Sequence, residues 1–330
     1  MGRIGFTTTI PVEIIYAAGK VPVDLNNVFV THPNPEELLC QAEKRGFPRN
    51  SCAWIKGIYS ALMGLGDVDC IIGVVEGDCS NTRALLEVLE LEGIDYVPFS
   101  YPRTRNEKRL KEEIDSLMRA FGVDYKRVME IKGEIDMVRR KVQYLDELTY
   151  KYNKVSGFEN HLWQVSCSDF EGDYREYGAK VDALTVEAEK RAEFTQPVRL
   201  GYVGVPPVFP EIYQFIEEHG ARIVFNEVQR QFTLAPGGFD RDIYQAYRDF
   251  TYPYSLEDRL QDIRAEISNR GIDGIIHYTQ AFCFRGIEDI VVKERIDTPV
   301  LMIEGDRPGG LDARTKLRIE SFIEMLHDLK

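Results

Sequence analysis

Apolar runs and helical apolar stripes alternate along most of this chain, and the alternation predicts its elements. Arg3–Thr9 reads as a strand, and Val12–Ala18 as an apolar helix that Gly19 stops. Val28–Val30 reads as a short extended stretch, and Pro35–Lys44 as a helix closed by Gly46 and Pro48. Ser51 is placed to cap a helix over Cys52–Met63. Cys70–Val75 (CIIGVV) is an unbroken apolar run, the pattern of a parallel strand buried on both faces. Helix Thr82–Leu91 and strand Tyr96–Phe99 complete this stretch.

The pattern then changes. Over 104–153 the chain is charged, with Leu110, Ile114, Leu117 and Phe121 at helical spacing, a break at Gly122, and a second stripe through Val128, Ile131, Ile135, Val138, Val142 and Leu145. This predicts a two-helix hairpin, and 153–195 also reads as mainly helical. Strand–helix alternation returns afterwards. Arg199–Val203, Arg222–Phe225, Gly274–Tyr278 and Val300–Ile303 read as strands, and Glu211–Glu218, Leu256–Arg270, Ile287–Glu294 and Thr315–Leu326 as helices. The expected fold class is therefore α/β, with parallel sheets in two halves. The expected domains are 1–103, a helical insert and linker at 104–197, and 198–330.

Composition narrows the function classes. A net charge of -13 argues against a nucleic-acid surface. No apolar run reaches the roughly 18 residues of a membrane span, and the opening residues lack signal-peptide features. A cytoplasmic location is expected, where the six cysteines would be free, metal-bound or catalytic rather than paired.

Three of these cysteines fall where α/β sheets bind ligands. Cys52 precedes a predicted helix, and Cys79 and Cys283 each lie between a predicted strand and a helix. Helix N-termini present unpaired N–H groups and positive partial charge, which favours a thiolate. Three such thiolates fit a metal centre with one open position. Zinc and iron–sulfur ligation both remain open on spacing, although zinc sites usually take two ligands from one short motif and there is no CxxC here. Cys70 starts the strand that leads to Cys79, about 20 Å away along six residues, and reads as core. Cys40 reads as core as well, and Cys167 is left open.

At this point a family resemblance enters. The chain resembles the 2-hydroxyacyl-CoA dehydratase and benzoyl-CoA reductase family, in its smaller catalytic-subunit type. The resemblance runs through IPVEIIYAAGKVPVDL, SCAWIKGIYSAL, DCIIGVVEGDCSNTRALLEVL, FGVDYKRVMEIKGEIDMVRRKV, KVSGFEN, GIDGIIHYTQAFC and TPVLMIEGD. It implies two Rossmann-like (flavodoxin-like) domains with an oxygen-sensitive [4Fe-4S] cluster between them, held by Cys52, Cys79 and Cys283 with one iron open. It implies an ATP-hydrolysing iron–sulfur activator that injects one low-potential electron. An acyl-CoA substrate would then pass through a ketyl radical, lose its 2-hydroxyl group and become an enoyl-CoA. Family members pair two related subunits, so a homodimer or a second subunit is expected.

Some relatives hold a double-cubane [8Fe-9S] cluster on six cysteines and reduce small molecules. CAWIKG and NEVQRQF lack the extra cysteines of that group, which favours the single cluster. A protein that only carries a cluster or transfers electrons is a further alternative. Glu13 and Glu304 lie in family-like motifs as candidates to move a proton or orient water, against capping or ion-pair roles. His277 reads as a satisfied buried histidine. Thr7, Thr8 and Thr9 either offer hydroxyls to a site or end their strand. GYVGVPP at 201–207 is a candidate phosphate-binding turn without an accompanying basic patch.

Overall fold

The computed structural model describes residues 2–234, 239 and 241–330. The chain divides into two compact units. Met1–Arg140, Ser166–Ala179 and Leu234–Ser255 form the first; Lys141–Val165, Lys180–Thr233 and Leu256–Lys330 form the second. The stretch 104–197, expected as insert and linker, is shared between them, and 234–255 belongs to the first unit. Tyr247 shows what ties that last segment there: its hydroxyl donates to Glu13 (2.8 Å) and to the Ile10 carbonyl (3.1 Å).

Each unit is built on a four-stranded parallel sheet. The first has β1 (Arg3–Phe6), β2 (Val21–Asp24), β3 (Val68–Glu76) and β4 (Tyr96–Ser100), in the order β2-β1-β3-β4. The second has β5 (Val198–Gly204), β6 (Ala221–Asn226), β7 (Gly274–Gln280) and β8 (Val300–Gly305), in the order β6-β5-β7-β8. Every neighbouring pair is parallel. The two orders are the same, and each chain path switches direction between its first and third strands. That switch point is where open sheets of this order bind ligands, beyond the carboxyl ends of the strands.

The apolar runs became the central strands. Ile71, Ile72 and Val74 of β3 are fully buried, as is every residue of β7. The predicted insert helices form as Glu107–Ala120 and Tyr125–Tyr150, with Gly122 at φ +65° between them and Leu110, Ile114, Val128, Ile135 and Val142 buried.

Several local expectations are corrected. The extended piece is Val21–Asp24, and Val28–Val30 lies in a helix over Leu25–Val30. Asp24 explains this, because its carboxylate accepts from the Asn26 amide and caps that helix (2.9 Å). Pro22 is tolerated because β2 is an edge strand. Cys52, not Ser51, is the N-cap of helix Ala53–Leu65; the Ser51 hydroxyl donates instead to the Pro48 carbonyl (2.7 Å). Cys40 and Cys70 are half-buried rather than core. Short helices at Glu227–Gln231 and Ile243–Arg248 were not foreseen. Among the described residues no helix is long and apolar enough to cross a membrane.

Candidate functional site

In the first unit, the rim begins where β1 ends. The Thr7 hydroxyl accepts from the Val74 amide (3.1 Å), which locks β1 to β3, and the Tyr101 hydroxyl donates to the Thr9 carbonyl (2.9 Å). Thr7 is thus used by the sheet. Thr8 is half-buried, and the Thr9 hydroxyl is buried without a hydrogen-bond partner among the described residues. Glu13 follows in helix Val12–Ala17, fully buried. Its carboxylate takes Arg139 Nη1 at 2.6 Å and the Tyr247 hydroxyl at 2.8 Å. Burial pushes this carboxyl up, but the Arg139 guanidinium more than offsets it and holds it below the usual carboxylate range.

Cys52 sits buried at the start of helix Ala53–Leu65, and its thiol does not cap that helix. Cys79 is half-buried in the turn after β3, where the Thr82 amide donates to its carbonyl (3.1 Å). Both pack against one apolar cluster with Ile55, Ile71 and Leu85. The exit from β3 runs through Gly77 at φ +93°, where a Cβ would meet Tyr101 Cβ at 2.7 Å and the Pro253 carbonyl at 3.0 Å. Only glycine suits that position.

The second unit carries a narrow cleft at the carboxyl ends of β5 and β7, its switch point, without enclosed room for a water molecule. Gly204, Arg259, His277, Thr279, Cys283 and Arg285 are among the residues that line it. Cys283, half-buried, is the N-cap of the short turn of helix Phe284–Ile287. Arg259 is buried and gripped from two sides: Nε and Nη2 reach the Glu227 carboxylate at 2.7 and 2.9 Å, and Nη1 reaches Glu288 at 2.6 Å. Glu227 also accepts from the Gly204 amide (2.9 Å). Burial pushes the Glu227 carboxyl up, but Arg259 and that amide hold it below the usual range. The turn at 201–207 therefore spends the Gly204 N–H on a carboxylate instead of presenting it to a phosphate. The glycine is needed for another reason, since at φ +104° a Cβ would run into the Tyr278 carbonyl.

His277 is buried, with Nδ1 2.9 Å from Asp289 Oδ1; Lys293 holds the other oxygen at 2.6 Å. Burial acts to raise the Asp289 carboxyl, but the His277 and Lys293 contacts leave it lowered. Glu304 is exposed on β8, in register with Thr279 of β7. Thr279 is buried, and its hydroxyl has no hydrogen-bond partner among the described residues. Sequence reasoning missed Thr279, Arg259 and Glu227. Thr279 had a local signal, four residues before Cys283 in TQAFC. The other two had none, since their pairing joins positions 32 residues apart.

The remaining cysteines lie elsewhere. Cys70 stands at the opposite end of β3 from Cys79, and burial with the neighbouring Asp69 charge raises its thiol. Cys167 is buried, 3.9 Å from the Tyr177 hydroxyl, and burial pushes it up to about 12. None of the six is disulfide-bonded. Among the described residues no three His, Cys, Asp or Glu side chains form a group able to hold a metal ion.

A family model described as 2-hydroxyglutaryl-CoA dehydratase, D-component, matches residues 7–326, nearly the whole chain. The chain belongs to this family. No curated protein matches it. As a dehydratase-type component of the 2-hydroxyglutaryl-CoA dehydratase family, it carries cysteine thiols outside any disulfide at or near helix N-termini, the donor chemistry that an iron–sulfur cluster takes. The unpartnered Thr279 hydroxyl in the cleft beside Cys283 is a second observation in favour of that fit.

Proposed function

We propose that this chain is the catalytic component of an oxygen-sensitive dehydratase or reductase that acts by radical chemistry on an acyl-CoA-like substrate. It would draw a low-potential electron from a separate ATP-hydrolysing iron–sulfur activator in the cytoplasm, and work as a homodimer or beside a related subunit. The observation that carries this reading is a repeated placement. Cys79 and Cys283 follow the equivalent strands β3 and β7 of two sheets with the same order, in a chain that matches the dehydratase family over nearly its full length. In this reading Cys52, Cys79 and Cys283 hold a [4Fe-4S] cluster. When bound, the cluster supplies a one-electron centre and an open iron that acts as a Lewis acid.

The protein's own residues support that role. Helix N-termini favour the thiolate forms. The Glu227–Arg259–Glu288 network fixes the wall of the cleft around Cys283. Glu304, exposed at the end of β8, is the carboxylate available to move a proton. Glu13 holds Arg139 and Tyr247 and serves to position the loop after β1. One observation favours a second reading in which the substrate is not a CoA ester: the Gly204 amide, Arg259 and Arg285 are all engaged by carboxylates. A double-cubane reductase draws no such support, given the positions of Cys70 and Cys167.

The test is anaerobic purification with iron and sulfide counts and electron paramagnetic resonance. About four irons per chain are expected. Cys52→Ala, Cys79→Ala and Cys283→Ala should each lose the cluster, while Cys70→Ala keeps it. A colourless, iron-free anaerobic preparation sinks the reading, and iron loss in Cys70→Ala turns it toward six-cysteine ligation.

A further inference from the structure

Thr279 is the cleft residue whose chemistry the fold leaves unused. It is 2% exposed, and its hydroxyl has no hydrogen-bond partner among the described residues. A buried polar group left unsatisfied is costly, so such a group calls for an explanation. The polar groups around it are engaged already. Arg259 is held by Glu227 and Glu288, Arg285 by Glu288, and His277 Nδ1 by Asp289.

Local geometry sets this hydroxyl against the turn that Cys283 opens. The Gly286 amide donates to the Cys283 carbonyl (3.1 Å), closing the turn. The point where a Gly286 Cβ would stand is 4.0 Å from Thr279 Oγ1. Thr279 and Cys283 line the same cleft. A hydroxyl there can donate to sulfur, and hydrogen bonds to ligating sulfur are one of the levers that set a cluster's reduction potential. The bond drains charge from sulfur and so favours the reduced, more negative state.

We infer that Thr279 is a positioning residue whose hydroxyl donates to sulfur at the Cys283 side of the metal centre and raises its reduction potential. This rests on the cluster reading above.

The experiment is a potentiometric titration of the anaerobic protein, followed by electron paramagnetic resonance, with iron counted on each sample. Thr279→Val keeps the shape and removes the donor; it should keep wild-type iron and move the midpoint potential to more negative values. Thr279→Ser should stay at the wild-type potential. Thr279→Ala, which differs from the serine variant only in the hydroxyl, carries the same comparison should valine disturb the cleft. Wild-type potentials in the valine and alanine variants overturn the inference, as does a serine variant that shifts as far as valine. A wild-type protein without iron is a different failure, because it removes the cluster reading and this inference with it.

Discussion

The two units share one strand order and bury charge in different ways. In the second, three buried carboxylates are clamped by arginine: Glu227 by Arg259, Asp146 by Arg270 and Asp262 by Arg230, each through two short contacts. In the first, Glu13 is clamped by Arg139, but Asp24 and Asp169 are buried with no cationic partner among the described residues. They rely on neutral donors. Asp169 accepts from the Asp24 and Glu171 amides (2.9 and 3.0 Å), and Asp24 from Asn26. The same topology therefore supports a unit in which Asp146 and Glu227 are held below the usual carboxylate range, although burial still raises Asp262, and a unit with a carboxyl pair that burial raises. Strand order sets where the rim lies; the partners supplied by surrounding helices set its electrostatics.

Two tryptophans make the comparison measurable, because Trp54 lies in the first unit and Trp163 in the second. Single-tryptophan variants report each unit separately in urea. The largest effect is expected from Arg259→Leu. It strips the clamp from Glu227 and should cost about 3–5 kcal/mol at pH 8, the usual penalty for breaking a buried pair. The loss should be smaller at pH 5, because Glu227 without its arginine is governed by burial and can take up a proton. The second unit would then acquire the kind of pH dependence expected of the first. An equal loss at both pH values, read from Trp163, refutes this account of the clamp.

The next effect belongs to Asp169. Burial first, and then the Asp24 charge, push its carboxyl up to about 7. The unfolded value is about 3.9, so the folded protein binds this proton more tightly. Its stabilising contribution is complete below about pH 4 and is lost as the pH rises through about 7. Burial raises Asp24 as well, which adds in the same direction. The clamped Asp146 and Glu227, both lowered, do the reverse: their contribution is present above about pH 4 and is lost only toward lower pH. Burial raises Asp262 of the second unit despite Arg230, so from pH 5 to 8 the Trp54-reported stability should fall more steeply than the Trp163-reported stability. Asp169→Asn should flatten the first slope, at the expense of one of its two accepted hydrogen bonds. A slope that survives Asp169→Asn assigns the titration elsewhere.

What could be read from the sequence follows the same division. CIIGVV and GIIHY announce β3 and β7, because strands buried on both faces carry continuous apolar runs, and the cysteines after them mark the rim. β2 escaped notice because VPVD is short, lies at an edge and contains proline. Val28 and Val30 suggested extension, and a single capping bond from Asp24 overrode that preference. The rim cysteines were legible because local order places them. The Arg259 clamp and the return of 234–255 to the first unit were not, since each depends on contacts that no local pattern encodes.

The smallest test concerns how the two third strands leave their sheets. β3 exits through Gly77, and β7 through Phe282, at φ +93° and +65°. Glycine adopts such angles freely, whereas a bulky residue there is strained by about 1–2 kcal/mol. Phe282 recovers little through packing, being 56% exposed. Phe282→Gly should relieve the strain but pay about 0.5–1 kcal/mol for glycine's greater freedom in the unfolded chain. The net expectation is a gain of up to about 1.5 kcal/mol, visible as a modest rise in the Trp163-reported urea midpoint with unchanged iron content. A lower midpoint would mean that the Phe282 ring contributes more than its exposure implies. The second unit's exit would then be held by a side chain, where the first relies on the freedom of its backbone.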